Sequence, residues 1–548
     1  MVPSYQLCLL AALLHLTDAS PAQTPLQISP FSKPRRLNGR FLQISDMHPD
    51  PHYKPSSSVN KACHRKKPKK RREEAGYYGT PYSECDSPFV LTNYTLDFLE
   101  KKWASELDFV IWTGDNARHD NDRKLPRTPA EIYDLNRAVA KRMEEIFLSR
   151  GIPVVPSLGP NGITYEFSQI WKKFIPFHNH QVFQRGAYYS VEVIPNEVAV
   201  IALNTMYFYD SNKAVGGCLF KEPDDPGNLQ FDWLGVQLKS YRNRGLHIDN
   251  QKLGHVPPSP GNYFPECYVR YAELALRFQD TILGHLFGHM NADHFFFLEA
   301  IDLDIFPEEE DETNSEAKEE LYQTLLGEFS ALPRANKNHT LDEYAVVNVS
   351  PPVVPNPYLP TFRIFSYNVT GFDGASGVTV QGKKRQHGHR RGNSGDKEVH
   401  CKTERYQDSW KCHLNETWHS DPKSPSRTNT LWSPLGYAQY YLPNLKDANE
   451  EQKPAYELEY MTFQPALLHP EAADGGSGEI FWYPIPLQQL PRSLRNSSVT
   501  ESKFAPYAMA DLTVGSWLEL GRRLGDKTET ALRKKFRKYM YLGGSEGK

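Results

Sequence analysis

Residues Asp108–Asp120 read DFVIWTGDNARHD: an apolar run, Phe109–Trp112, that stops at Thr113-Gly114-Asp115-Asn116, with His119 four residues past the aspartate. A short run of aromatic and β-branched residues closed by a glycine-containing polar turn predicts a buried strand. A carboxylate just beyond the carboxyl end of such a strand is where open α/β sheets place their ligands. The pattern recurs upstream. Phe41–Tyr53 (FLQISDMHPDPHY) leads from an apolar run, Phe41–Ile44, into Asp46 and His48. Further strand-like runs are Ile152–Val155 and Val198–Leu203, and helical stretches fall at Pro129–Phe147 and Cys267–Phe278. From Arg40 to Phe297 the alternation predicts an α/β fold.

Two more polar turns belong to the same series: Gly254-His255-Val256-Pro257-Pro258, and Gly288-His289-Met290-Asn291-Ala292-Asp293-His294. Hard carboxylate oxygens, imidazole nitrogens and one amide oxygen suit Mn, Fe or Zn in a two-metal centre. A carboxylate such as Asp115 can bridge two ions, and such a pair activates hydroxide and clamps the oxygens of an in-line phosphoryl displacement. Singly, each piece has a structural reading: Asp115 can cap the following helix, and His289 can be a satisfied core histidine. Their ordered recurrence at strand ends is what points to a site.

Composition limits the alternatives. The 548 residues are 39% hydrophobic and 12% aromatic, enough for a real core. A mean hydropathy of −0.60 excludes a polytopic membrane protein. The net charge of −3 argues against a nucleic-acid partner. The 19 histidines make that charge pH-dependent, and in an acidic compartment the chain becomes cationic.

Tyr5–Leu16 (YQLCLLAALLHL) has the length of a signal-peptide h-region and is short for a bilayer span. We therefore expect residues 1–22 to be a signal peptide, or a short signal anchor if retained, which leaves membrane contact open. Sequons at Asn93, Asn338, Asn348, Asn368, Asn415 and Asn496 agree with a lumenal fate. Outside the leader stand six cysteines, an even number that suggests disulfides. Proximity pairs Cys63 with Cys85 and Cys401 with Cys412, leaving Cys218 with Cys267; a zinc site competes less well because no C-x-x-C spacing exists. Self-association is left open.

The quoted blocks, together with ACH…AGYYG…CDSPF (Ala62–Phe89), HVPPSPG (His255–Gly261), GHMNADHFFF (Gly288–Phe297) and the segment Cys401–Cys412, resemble the calcineurin-like metallophosphoesterases. Within their acid-sphingomyelinase-like branch the similarity is to the fungal vacuolar endopolyphosphatase family. The resemblance implies a β-sandwich flanked by helices, and two divalent ions (Mn, Fe, Zn, Mg or Co). Asp46, His48, Asp115 and Asn291 would surround one ion, with Asp115, His255 and His289 around the other. It further implies that His119 meets the substrate and protonates the leaving oxygen, in an acidic vacuolar lumen or at its membrane. The implied substrate is inorganic polyphosphate, cut internally. A sphingomyelinase-like phosphodiesterase is the competing enzyme, although no saposin-like segment is visible. One departure matters: the family's G-N-N-D motif is missing after Gly159, where the chain runs into Pro160-Asn161. A mis-joined exon, a natural deletion giving a polyphosphate-binding pseudoenzyme, and replacement by Asn161 are the three explanations.

The remaining organisation is expected to be a core over 40–300 carrying a basic insertion at 61–72, then an acidic flexible insertion at 301–335. A family-specific region over 336–548 completes the domain, with a basic loop at 383–391 and a basic helix-like tail at 522–538. The basic runs read first as solvated loops. Lys66, Lys67, Lys69, Lys70, Arg71, Arg72, Lys383, Lys384 and Arg385 are the residues expected to meet a polyanion.

Overall fold

Phe41, Leu42 and Ile44 are almost wholly buried, as are Phe109–Trp112. These runs have water on neither face, and they pair in parallel with Phe41 opposite Phe109 and Ile44 opposite Trp112. The computed structural model describes residues 36–159, 164–305, 320–334, 341–372, 399–469 and 485–544, with backbone only at 248–252 and 388–389. The leader, most of the acidic run, Asn161, Asn338, Lys383, Lys384 and Arg385 lie outside the described residues.

The first sheet holds β1 (Arg40–Ile44), β2 (Phe109–Trp112) and β3 (Val154–Pro156), all parallel. The second begins with β4 (Tyr189–Ile194) antiparallel to β5 (Val198–Ala202) and continues in parallel through β6 (His247–Leu253) and β7 (His285–Phe287). At its far side β8 (His294–Glu299) pairs antiparallel with β9 (Tyr344–Val349), which is parallel to β7. The chain then returns to the first sheet. There β10 (Thr361–Tyr367) lies antiparallel to β1, followed by β11 (Pro434–Tyr441) and β12 (Glu457–Met461). The strand orders are β12-β11-β10-β1-β2-β3 and β8-β9-β7-β6-β5-β4.

The sheets face each other. The Gln43 side-chain amide of β1 donates to the Phe287 carbonyl of β7 at 3.2 Å. Arg363 of β10, fully buried, donates to the Val349 carbonyl at 3.1 Å and to Gln439 Oε1 at 2.8 Å, and forms an ion pair with Asp293. Asp293 also accepts from Gln439 Nε2 at 2.9 Å and from the Tyr460 hydroxyl at 2.5 Å. Every donor and acceptor named here has a partner, which burial of charge demands. Next to it burial pushes Glu459 up to about 8.

Several boundaries differ from expectation. The helix Pro129–Ile146 starts where its Thr128 cap and first-turn proline put it. The third strand, read at Ile152–Val155, is displaced to Val154–Pro156, because an edge strand tolerates the missing proline N–H. The basic tail, read as one stretch over Arg522–Lys538, is two helices, Val514–Gly525 and Thr530–Met540, parted at Asp526. Each buries an apolar stripe, including Trp517, Leu524 and Phe536, and spends its charge on the other side. Disulfides join Cys63 to Cys85, Cys218 to Cys267 and Cys401 to Cys412.

Candidate metal centre

Four strand ends bring the polar turns together. Asp46 and His48 follow β1, Asp115 follows β2, His255 follows β6, and His289 and Asn291 follow β7. Asp46, His48, Asp115, His289 and Asn291 hold left-handed backbone, with φ of 50°, 39°, 50°, 72° and 54°. Such conformations cost about 1–3 kcal/mol each outside glycine and persist only where packing over-determines them. The glycines beside them are what allow the close approach. A Cβ on Gly288 would stand 2.1 Å from Ser45 Oγ, and one on Gly114, at φ +89°, 2.4 Å from the Ser157 carbonyl.

Backbone carbonyls fix the histidine tautomers. His48 Nδ1 meets the Ala117 carbonyl at 2.8 Å, and His255 Nδ1 meets the Thr113 carbonyl at 3.0 Å. A carbonyl only accepts, so each Nδ1 carries the proton and each Nε2 faces the site. His48 Nε2 lies 3.5 Å from Asp46 Oδ1 and 3.6 Å from Asp115 Oδ2. His255 Nε2 lies 3.7 Å from Asp115 Oδ2 and 3.9 Å from Asp46 Oδ1. His289 Nδ1 is 3.2 Å from His255 Nε2, and the His289 backbone N–H donates to Asp46 Oδ2 at 3.2 Å. Asn291 donates its amide to the Asn356 carbonyl at 2.8 Å, leaving its buried Oδ1 without a partner among the described residues.

The electrostatics are those of a cation site. Burial by itself would raise the Asp46 carboxyl, but His255 and His48 hold it well below the usual carboxylate range. Burial opposes charge on His48, yet Asp115 and Asp46 overcome it and push its pKa up to about 9. His289 is driven down to about 4, first by burial and then by His255. A positive charge is therefore stabilised between the carboxylates and a lone pair is kept on the neighbouring imidazole. An orphaned amide oxygen, carboxylate oxygens and carbonyl-fixed imidazoles are the donor set that divalent ions take. Asp46, Asp115 and His255 each offer an atom within 4.8 Å of the others, as do His48, Asp86 and His119.

His119 stands at the edge of this centre, its ring stacked on His48 with centroids 4.3 Å apart and planes 7° apart. Its partner is Asp86, which the sequence reading did not single out. The only clue was its place beside Cys85, since 33 residues separate the pair. Lys66, Lys67, Lys69, Lys70, Arg71 and Arg72 are exposed. Within the same segment Cys63 and His64 are buried.

His64 sits between Asp50 Oδ2 and Asp122 Oδ2, 2.8 Å from each, with Arg65 also on Asp122 and the His52 ring at its edge. Carboxylates only accept, so both ring nitrogens donate and the imidazole is charged. Burial opposes that charge, but the hydrogen bonds to Asp50 and Asp122 raise the pKa above its ordinary value. The stabilisation is thus complete below about pH 6.5 and is lost as pH rises through the raised folded value. Thermal melts of a His64→Gln chain should fall below the parent at about pH 5, and the gap should close at alkaline pH. A gap that stays constant with pH would mean that His64 is uncharged in the fold.

Of the sequons, Asn93, Asn415 and Asn496 are exposed and Asn368 is partly so. Asn348 is a correction: it is 5% exposed on β9, a strand paired on both sides, and a glycan has no room there.

A mixed α/β frame with carboxylates and imidazoles gathered at adjacent strand ends defines a class, the hydrolases that work through bound divalent ions. No family model matches the chain. It is 37% identical to the endopolyphosphatase of Cryptococcus neoformans var. neoformans serotype D over 91% of both chains. To the endopolyphosphatase of Schizosaccharomyces pombe it is 30% identical, over 91% of this chain and 85% of that protein. It shares 32% identity with that of Saccharomyces cerevisiae over 64% of each. The chain belongs to the endopolyphosphatase family.

Proposed function

We propose that the chain hydrolyses internal phosphoanhydride bonds of inorganic polyphosphate at the strand-end centre, within a calcineurin-like frame. The observation that carries this reading is the convergence of Asp46, His48, Asp115 and His255 on one point, in a chain whose relatives are named endopolyphosphatases. Those names favour polyphosphate over a sphingomyelinase-like substrate. Asp46, His48, Asp115 and Asn291 form one ligand set; Asp115, His255 and His289 form the other. Bound divalent ions would supply the charge that neutralises phosphate oxygens and the acidity that prepares water for attack. His119, on the open side, hands a proton to the departing oxygen. Its role, a vacuolar location and glycosylation of the exposed sequons are parts of this proposal.

The exposed cations of 66–72 are proposed to hold the polyanion flanking the cut. Contacts of this kind are additive and salt-sensitive. Replacing Lys66, Lys67, Lys69 and Lys70 by glutamine should raise KM for long chains several-fold and flatten its salt dependence. Tripolyphosphate, which leaves almost no chain flanking the cut, should be cleaved as before. The basic test is purified protein with Mn²⁺ and long-chain polyphosphate, resolved on a gel. Fragments of intermediate length support internal cutting. A ladder from the ends sinks the internal mode, and unshortened chains sink the enzyme.

A further inference from the structure

We propose that Asp86 is the positioning residue that fixes His119 for proton transfer, a role that rests on the assignment of His119 as the proton donor. A single buried carboxylate makes both contacts. Asp86 Oδ2 accepts the backbone N–H of His119 at 2.7 Å, and Asp86 Oδ1 meets His119 Nδ1 at 2.6 Å. Main chain and ring are thereby held by one rigid group, and the Nδ1 proton is committed to Asp86. Only Nε2 remains for the substrate, on a side chain that is 42% exposed. The flat stack on His48 removes the ring's remaining freedom.

Asp86 itself has little room to move. It is 2% exposed. On one side Cys85 is tied to Cys63. On the other, the Ser87 N–H donates to the His48 carbonyl at 3.1 Å, and Ser87–Pro88 pairs in parallel with Pro49–Asp50. The turn that presents the ligand His48 therefore also carries the residue that aims His119.

In the reaction, the oxygen of water bonds to phosphorus as the bridging P–O bond breaks. The leaving phosphate oxygen takes the Nε2 proton, the water's proton passes to solvent, and His119 is reprotonated from solvent. Asp86 keeps its charge throughout and exchanges no proton.

The test uses the full chain with Mn²⁺ and long-chain polyphosphate. Asp86→Asn, His119→Ala and the double variant are compared, with bound metal measured by mass spectrometry. We expect Asp86→Asn to lower kcat by about 10–100-fold, the range of oriented outer partners, with KM within about twofold and metal content unchanged. The double variant should be no slower than His119→Ala. Multiplying losses, a lost equivalent of metal, or full activity in Asp86→Asn would each overturn the positioning role. If Asp86→Asn does not fold, Asp86→Glu replaces it, and undiminished kcat there is equally fatal. Undiminished kcat in His119→Ala sinks the donor assignment itself, whereas loss in His119→Ala with full activity in Asp86→Asn sinks only the role of Asp86.

Discussion

An Asp115→Asn chain is expected to lose divalent-ion-dependent cleavage of long-chain polyphosphate while melting within a few degrees of the parent. Asp115 Oδ2 lies 3.6 Å from His48 Nε2 and 3.7 Å from His255 Nε2, and Asp46 Oδ1 approaches the same two imidazoles at 3.5 and 3.9 Å. In the proposed assignment Asp115 is the carboxylate shared by both ligand sets, so its loss cannot be absorbed by either. The amide keeps the shape of the side chain and one acceptor oxygen, but it removes the charge that draws a cation between the imidazoles. Outer partners of metal ligands cost about 10–100-fold when replaced, so a shared ligand should exceed that range. The fold should tolerate the change, because the turn around Asp115 is set by backbone bonds: the Asp46 N–H to the Gly114 carbonyl at 3.0 Å and the Met47 N–H to the Asp115 carbonyl at 3.1 Å. Metal content measured beside activity makes the test specific. Full activity in this variant would remove Asp115 from the centre.

The largest effect on stability should come from a place with no contact to substrate. Arg363→Met keeps the length of the side chain and its apolar contact with the Tyr437 ring, over which the guanidinium lies at 4.5 Å. Among the described residues it leaves the Asp293 carboxylate between the sheets with only the Gln439 and Tyr460 side chains as donors. Removing one member of a buried pair costs about 3–5 kcal/mol, because the other charge stays desolvated and uncompensated. At about 2.1 cal/mol/K of unfolding entropy per residue, this corresponds to a fall in Tm of about 3–4 °C for a chain of this length. Adding Asp293→Asn should restore part of the loss, since the double variant buries no charge. Additive losses would show that the two groups are not coupled. Asp293 is two residues from Asn291, and its backbone N–H donates to the Met540 carbonyl at 3.0 Å. The same variant should therefore weaken metal binding as well.

The legible parts of the sequence were those where local composition and tertiary role agree. Phe109–Trp112 is apolar on both faces because β2 is covered on both faces, and its boundaries were read without error. The polar turns at the strand ends were legible for a similar reason: carboxylates, imidazoles and chain reversal fall on the same few residues, at Asp46–His48 and at His289–Asn291. The strands after residue 330 were not legible. In β10, β9 and β11 the residues Arg363, Asn348 and Gln439 interrupt the apolar pattern, yet all three are buried. A charged residue is read as solvent-facing unless its partner is known, and the partner of Arg363 is 70 residues away. Within the basic run the cations of 66–72 are exposed as a solvated loop requires, but the buried place of His64 was not legible, because it counts as one more charge until Asp50 and Asp122 are seen around it.

By itself, then, the sequence determined the α/β character of the frame, the pairing of the cysteines and the endopolyphosphatase family. All of these are written in short windows or in spacing. Only the tertiary structure decided that Asp86 faces His119, that Asp293 and Arg363 neutralise each other between the sheets, and that Asn348 is closed to modification. Each of these depends on which distant segments share a desolvated space, and the free energy of a buried charge or amide is fixed by its neighbours in that space rather than by its neighbours along the chain.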